Sequence, residues 1–289
     1  MLSFSLFLFL FGLIIGSFLG VIIDRSVHGD SFIYGRSKCP KCRKTIRWYD
    51  NIPLISFFLL RGRCRNCGKQ ISWSYPVIEG MTGALFVWWY VIGAAVFKLS
   101  TQPFTILQPA FWLLVGIGFL VVFFADFLYG IIPNGAVYGL TALGIAYRLA
   151  LTGMSIMRPI DLLFSLLAAM AMTVFFLFLW WITKKRGLGL GDVKFVLPLG
   201  LIVGWPAILV AVFLADILGA VTGLLLIAGG KKKFGQTIPF GPFLVLGGVL
   251  ALLFSDHIVQ WYVSLLTCPF LQIYYRCSTR KYRAFSFVP

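Results

Sequence analysis

The sequence predicts an all-α polytopic membrane protein of about eight transmembrane helices, with one polar insert between helices 1 and 2. Two observations carry this. The 289 residues are 60% hydrophobic and only 12% charged, which excludes an ordinary soluble domain. The apolar residues also fall in runs of about 20, the length a helix needs to cross a bilayer.

The first run, 2–23, lacks the basic start and small-residue cleavage site of a signal peptide and reads as a retained first helix. The next seven candidates are 77–97, 108–125, 131–151, 160–182, 193–204, 207–228 and 240–263. The sixth span, 193–204, is short; it either runs back through the preceding loop or does not cross fully. The expected organisation is a first helix over 1–23, a polar insert over 24–76, a membrane core over 77–264 and a tail over 265–289. Two cysteines in the tail, Cys268 and Cys277, form a disulfide if they face an oxidising space; folding back along a surface is the alternative for this basic segment.

The net charge is +16, and eleven Lys/Arg lie in 24–75. Lys184, Lys185, Arg186 and Lys194 follow the fifth span, and Lys231, Lys232 and Lys233 follow the seventh. With eight alternating helices all of these fall on one side, and loops rich in Lys/Arg stay cytoplasmic. The N-terminus is therefore expected outside, and the insert inside. Charge as a topology signal explains most of the +16, and no nucleic-acid partner is expected.

The insert carries CPKC (39–42) and CRNC (64–67). Two CxxC pairs at this separation suit tetrahedral zinc, each pair bringing two thiolates to one ion. Cys39, Cys42, Cys64 and Cys67 are the expected ligands of a structural Zn²⁺ in a cytoplasmic zinc-binding loop. Two disulfides are the alternative, disfavoured by a reducing compartment. A small insert with little core of its own needs such a staple. Between the pairs, IRWYDNIPLISFFLLRGR (46–63) holds an apolar stretch too short to span. It either lies in the membrane interface or covers part of the bundle.

Nine acids remain to be weighed. Asp24, Asp30 and Asp50 belong to the insert or its edge, where solvated charge is the default. Glu79 and Asp161 open helices, where capping is the default, and Asp256 sits near a helix end. Asp126, in FFADFLYGIIPN (123–134), and Asp192, after GLGLG, both fall at the cytoplasmic membrane boundary. Asp216 lies near the middle of the seventh span. An acid inside a membrane helix is costly and points to function.

The flanks favour Asp126 and Asp192 over simple end-caps. Gly187, Gly189 and Gly191 allow positive φ and bare one edge of the backbone to a substrate peptide. Gly130 and Pro133 break the chain just past Asp126. Two carboxylates held close cannot both ionise: the charged one takes a proton from water, the protonated one donates to the carbonyl oxygen. This is aspartyl-protease chemistry. No Ser/His/Asp set and no HExxH is available.

These motifs resemble the bacterial prepilin peptidases, type IV leader peptidases of the GxGD aspartyl protease class. GSFLGVIIDR (16–25), the insert from Ser37 to Glu79, ADFLYGIIPN, GLGLGDVK and IPFGPFLVLGG (238–248) carry the likeness. The resemblance implies a catalytic pair Asp126 and Asp192 and zinc ligands Cys39, Cys42, Cys64 and Cys67. It implies cleavage of the leader of type IV prepilins or type II secretion pseudopilins after a glycine, in the inner membrane. N-methylation of the new N-terminal residue, commonly Phe, from S-adenosylmethionine would follow, with Glu79 a candidate near that cofactor. Gly20 stands where the family usually has Asn, and Asn134 where Asp is frequent. Two other classes remain open at this level: an ion-coupled transporter using Asp126, Asp192 and Asp216, and a non-catalytic zinc-ribbon scaffold.

Overall fold

The computed structural model describes residues 2–28, 37–39, 41–96, 104–184, 187–231, 233 and 236–266. Asp30, Lys185, Arg186, Lys232 and the tail from 267, with Cys268 and Cys277, lie outside the described residues. The described chain is helical, without strands: α1 (Leu2–His28), a 3-10 turn (Trp48–Asn51), α2 (Ile55–Leu59), α3 (Ser74–Val96), α4 (Phe104–Tyr129), α5 (Asn134–Gly153), α6 (Pro159–Ile182), α7 (Leu190–Val203), α8 (Ala207–Ala228) and α9 (Gly241–Leu266). Each of the eight apolar runs becomes a helix. Five of them, within α1, α4, α6, α8 and α9, are long and apolar enough to cross a membrane. The chain is a multi-pass membrane protein. The helix of the short sixth run extends back only to Leu190, taking in Gly191 but not Gly187 or Gly189. This helix, α7, has 14 residues, about 21 Å at 1.5 Å per residue, against a hydrocarbon core of about 30 Å.

The chain divides into two units, Met1–Tyr129 and Gly130–Pro289. In the first, α1 packs along α3 through glycines. A Cβ on Gly12 would lie 2.8 Å from Gly83 Cα, and one on Gly16 would lie 2.7 Å from Glu79 Cα. Lipid tails are as apolar as leucine, so membrane helices associate by close backbone approach, and small residues four apart permit it. At the other end of α4, Tyr129 donates its hydroxyl to Asp24 Oδ1 of α1 at 2.9 Å.

In the second unit α7 is enclosed. Val193, Phe195, Val196, Leu199, Leu201 and Ile202 are all buried, which is how a short helix apolar on every side is accommodated. Gly200 lets α7 approach α6, where an added Cβ would sit 2.8 Å from Ala169 Cα. The C-terminal end of α7 is closed by Arg148 of α5, whose guanidinium donates to the carbonyl oxygen of Leu201 and, at 3.5 Å, to that of Ile202. A cation on the terminal carbonyls satisfies orphan acceptors and complements the helix dipole.

Candidate active site and metal centre

The insert is built from two copies of one small turn. Lys38 bridges Thr45 in antiparallel fashion, and Arg63 bridges Gln70 in the same way. The Cys39 N–H donates to Lys44 O at 3.0 Å and the Cys64 N–H to Lys69 O at 2.8 Å. The Arg43 N–H returns to Cys39 O at 2.8 Å, and the Gly68 N–H to Cys64 O at 2.9 Å. Equivalent positions Arg43 and Gly68 both take positive φ, 55° and 68°. Each turn points two thiols the same way, and facing the turns gathers four.

Cys39, Cys42, Cys64 and Cys67 are free thiols, and their sulfur atoms all lie within 4.8 Å of one another. Cys39 and Cys67 are 3.9 Å apart. A tetrahedral ion with bonds of ~2.3 Å requires sulfurs ~3.8 Å apart. The four residues therefore fit a single metal ion of the zinc type. The backbone N–H of Cys42 holds the Cys39 thiol down at about 7 against the opposing effect of desolvation, with smaller help from the Lys41 N–H and the neighbouring thiols. That favours the thiolate a metal needs.

Three side chains tie the insert together. Asp50 accepts a two-pronged bond from Arg65, with Nη2 to Oδ1 at 2.7 Å and Nε to Oδ2 at 3.0 Å, so the solvated carboxylate expected there is instead paired. Ser56 accepts from the Ile52 N–H and donates to Tyr49 O. Glu79 accepts from the Leu54 N–H at 2.8 Å and bonds the Ser17 hydroxyl. Capping, the default for Glu79, is corrected here. Because α3 begins at Ser74, Glu79 falls in its second turn and joins α1, α3 and the insert. Asp161 does lie in the first turn of α6, paired with Arg158 at 3.2 Å.

Among the described acids only Asp126 and Asp192 are buried, at 6% and 7% exposure. Asp216 lies on an exposed face of α8. Asp126 belongs to the first unit, one turn before the end of α4. Asp192 belongs to the second, in the first turn of α7, where its Oδ2 accepts the Gly189 N–H at 3.2 Å. The end-cap reading of Asp192 holds for that one oxygen, yet the side chain is enclosed.

The glycines before Asp192 act differently from expectation. None of the three has positive φ, and Gly189 is extended at φ −77°, ψ 143°. What they supply is room. A Cβ on Gly189 would lie 3.0 Å from Asp192 Oδ2, one on Gly191 3.1 Å from Ile132 Cβ, and one on Gly187 3.2 Å from Thr183 Cγ2. Positive φ appears instead at Gly130, 66°, just past α4. Lys194, beside Asp192, donates to Asn134 Oδ1 at 3.1 Å.

Sequence reasoning passed over Gly12, Gly16 and Gly83, which set the α1–α3 approach, and Arg148. The four-residue spacing GLIIG (12–16) was the available signal. Nothing local in the sequence announces that Arg148 reaches the end of α7.

Residues 10–92 match the bacterial peptidase A24 N-terminal domain, and 112–224 match the type IV leader peptidase family. A prepilin leader peptidase/N-methyltransferase of Aeromonas salmonicida is 32% identical, over 91% of this chain and 94% of its own. One of Myxococcus xanthus is 35% identical over 82% and 69%, and one of Bacillus subtilis 30% identical over 89% and 97%. No solved structure matches the chain. With the helical membrane core and the Cys₄ cluster, these matches show that the chain belongs to the type IV leader peptidase family.

Proposed function

We propose that the chain is a membrane aspartyl endopeptidase. It cuts the leader from type IV prepilins or type II secretion pseudopilins after a glycine, on the cytoplasmic face of the inner membrane, with Asp126 and Asp192 as the catalytic pair. The observation that supports this best is burial: of the acids described, only these two are enclosed. Ile132 and Asn134, six and eight residues after Asp126, touch Gly191 and Lys194 on either side of Asp192.

In this reading one carboxylate is ionised and one protonated, because two close charges of one sign cannot coexist. The ionised member removes a proton from water as its oxygen adds to the scissile carbonyl carbon. The protonated member donates to the carbonyl oxygen, and the dyad then delivers a proton to the leaving amine as the C–N bond breaks. Gly187, Gly189 and Gly191 let the substrate backbone approach, and Gly189, whose backbone is extended, keeps a side chain off the Asp192 carboxylate. The substrate's own apolar helix packs laterally in the bilayer; a basic leader gains nothing from a basic insert.

Cys39, Cys42, Cys64 and Cys67 hold a structural Zn²⁺, which cross-links the two turns and supplies folding energy to the insert. The relatives' names also support N-methylation of the new terminus, with S-adenosylmethionine as the donor. Glu79, which holds Leu54 and Ser17, fixes the insert that this step is expected to need.

The test is processing of a co-expressed prepilin by wild type, Asp126→Asn and Asp192→Asn, read by N-terminal mass spectrometry. Both variants are expected in the membrane and inactive, and the wild-type product is expected to carry one added methyl group. Near wild-type cutting by either variant refutes the dyad.

A further inference from the structure

The insert carries a surface that the proposed chemistry does not use. Arg61, Arg63, Gln70, Phe57, Phe58 and Trp73 line an open cleft of about 430 Å³. Its apolar side chains face outward: Trp73 is 66% exposed and Phe58 63%, next to Leu59 at 78%, and elsewhere in the insert Trp48 is 76% exposed. A soluble loop that exposed this much apolar surface to water would aggregate or bind something.

Its position says what. Trp73 immediately precedes α3, the helix formed by the second apolar run. Its ring packs on Phe57 of α2, with centroids 4.8 Å apart. The other end of α2 is fastened to the same helix, through Leu54 N–H and Glu79 Oε2 at 2.8 Å. So α2 is pinned beside the first turns of α3, and in the proposed seating this is the depth where a membrane helix meets the headgroups. Tryptophans are enriched at that depth, and short apolar elements with basic neighbours lie flat in it.

The charge of the cleft is one-sided. Its lining has two arginines and no carboxylate. Asp50, elsewhere in the insert, is engaged by Arg65. A tight reversal delivers the arginines. The Arg61 N–H donates to Phe58 O and the Gly62 N–H to Phe57 O, with Arg61 and Gly62 both at positive φ. The turn leaves Arg61 and Arg63 exposed at the cleft. Such a lining repels a cationic ligand and complements an anion that carries an apolar tail.

We infer that this cleft binds the headgroup of an anionic phospholipid, with Arg61 and Arg63 on the phosphate and Phe58, Leu59 and Trp73 against the acyl boundary, so that the insert is seated on the bilayer. This does not rest on the cleavage reading.

The experiment measures retention of phosphatidylglycerol by the full-length chain in a neutral detergent, by native mass spectrometry, with phosphatidylcholine and glycerol 3-phosphate as comparisons. Wild type is expected to prefer phosphatidylglycerol. Arg61→Gln/Arg63→Gln is expected to bind it roughly 30-fold more weakly, at about fivefold per arginine. Lys231→Gln/Lys233→Gln, which removes the same charge elsewhere, is expected to match wild type. Equal binding by the arginine variant overturns the proposal, and so does equally tight binding of glycerol 3-phosphate, which marks a site for free phosphates. A second measurement leaves the arginines untouched. In vesicles of brominated phosphatidylglycerol, wild type is expected to lose more fluorescence than Trp48→Phe/Trp73→Phe. Equal fractional quenching of the two proteins overturns the seating on lipid.

Discussion

Replacing Gly189 by alanine tests why glycine precedes the buried aspartate. The backbone at Gly189, φ −77°, ψ 143°, is open to any residue, so the substitution brings no conformational strain. What it brings is a methyl carbon 3.0 Å from Asp192 Oδ2, where ordinary contact begins near 3.4 Å. The carboxylate must therefore move by roughly 0.4 Å, or the Gly189 N–H bond of 3.2 Å must open. A misplacement of about 1 Å in a reacting group costs on the order of 100-fold; by the same scale 0.4 Å costs about sixfold. Alanine is also a poorer N-cap than glycine, by about 1 kcal/mol or less, which lowers stability slightly without touching the chemistry. The assay is the initial rate of prepilin cleavage by purified protein, with Asp192→Asn as the inactive reference. Gly135→Ala serves as the control, since nothing lies within 4 Å of its added Cβ. Cleavage within twofold of wild type by Gly189→Ala, with Asp192→Asn dead, refutes the idea that this glycine makes room for the carboxylate.

Cys64→Ser removes one of four converging thiols and is expected to take bound zinc from stoichiometric to undetectable by elemental analysis, with protease sensitivity appearing in 37–73. Gly247→Ala drives a methyl group into the Ala211 carbonyl and to 2.9 Å from the Ala215 nitrogen; overpacking of this kind costs about 1–3 kcal/mol, seen as a lower unfolding temperature in detergent. Asn134→Asp turns the 3.1 Å bond from Lys194 into an exposed ion pair. It is expected to stabilise by about 0.5 kcal/mol at low salt and by less as salt rises.

The membrane helices were legible because bilayer thickness imposes a length and hydropathy that no other environment demands. The metal cluster was legible because coordination geometry fixes local spacing: thiols two residues apart on a tight turn converge whatever surrounds them. Side-chain pairing was not. Asp50 looks solvated in sequence because its partner Arg65 is fifteen residues away, across the turn that the second cysteine pair creates. Arg148 and Leu201 are separated by fifty-three residues, and only the packing of α5 on α7 brings them together.

The glycines show the same division at closer range. A run such as GLGLG announces that side chains are unwelcome, but not whether the reason is a backbone angle or a neighbour. Here the neighbours decide: Thr183, Asp192 and Ile132 occupy the space, and the backbone stays in ordinary regions of conformational space. Glu79 follows the same logic. In sequence it is an acid near a helix start; in the fold it is too far into α3 to cap it, and it receives the Leu54 N–H instead. Leu54 has positive φ, 57°, an uncommon conformation for a leucine that needs outside support. Glu79 supplies that support, and Gly16, by admitting α1 to within contact of the Glu79 backbone, lets Ser17 reach the same carboxylate. Removing the carboxylate by Glu79→Gln would keep one acceptor for Leu54, whereas Glu79→Ala would keep none. Any role of this residue in a second reaction is therefore separable from its anchoring role by comparing the two.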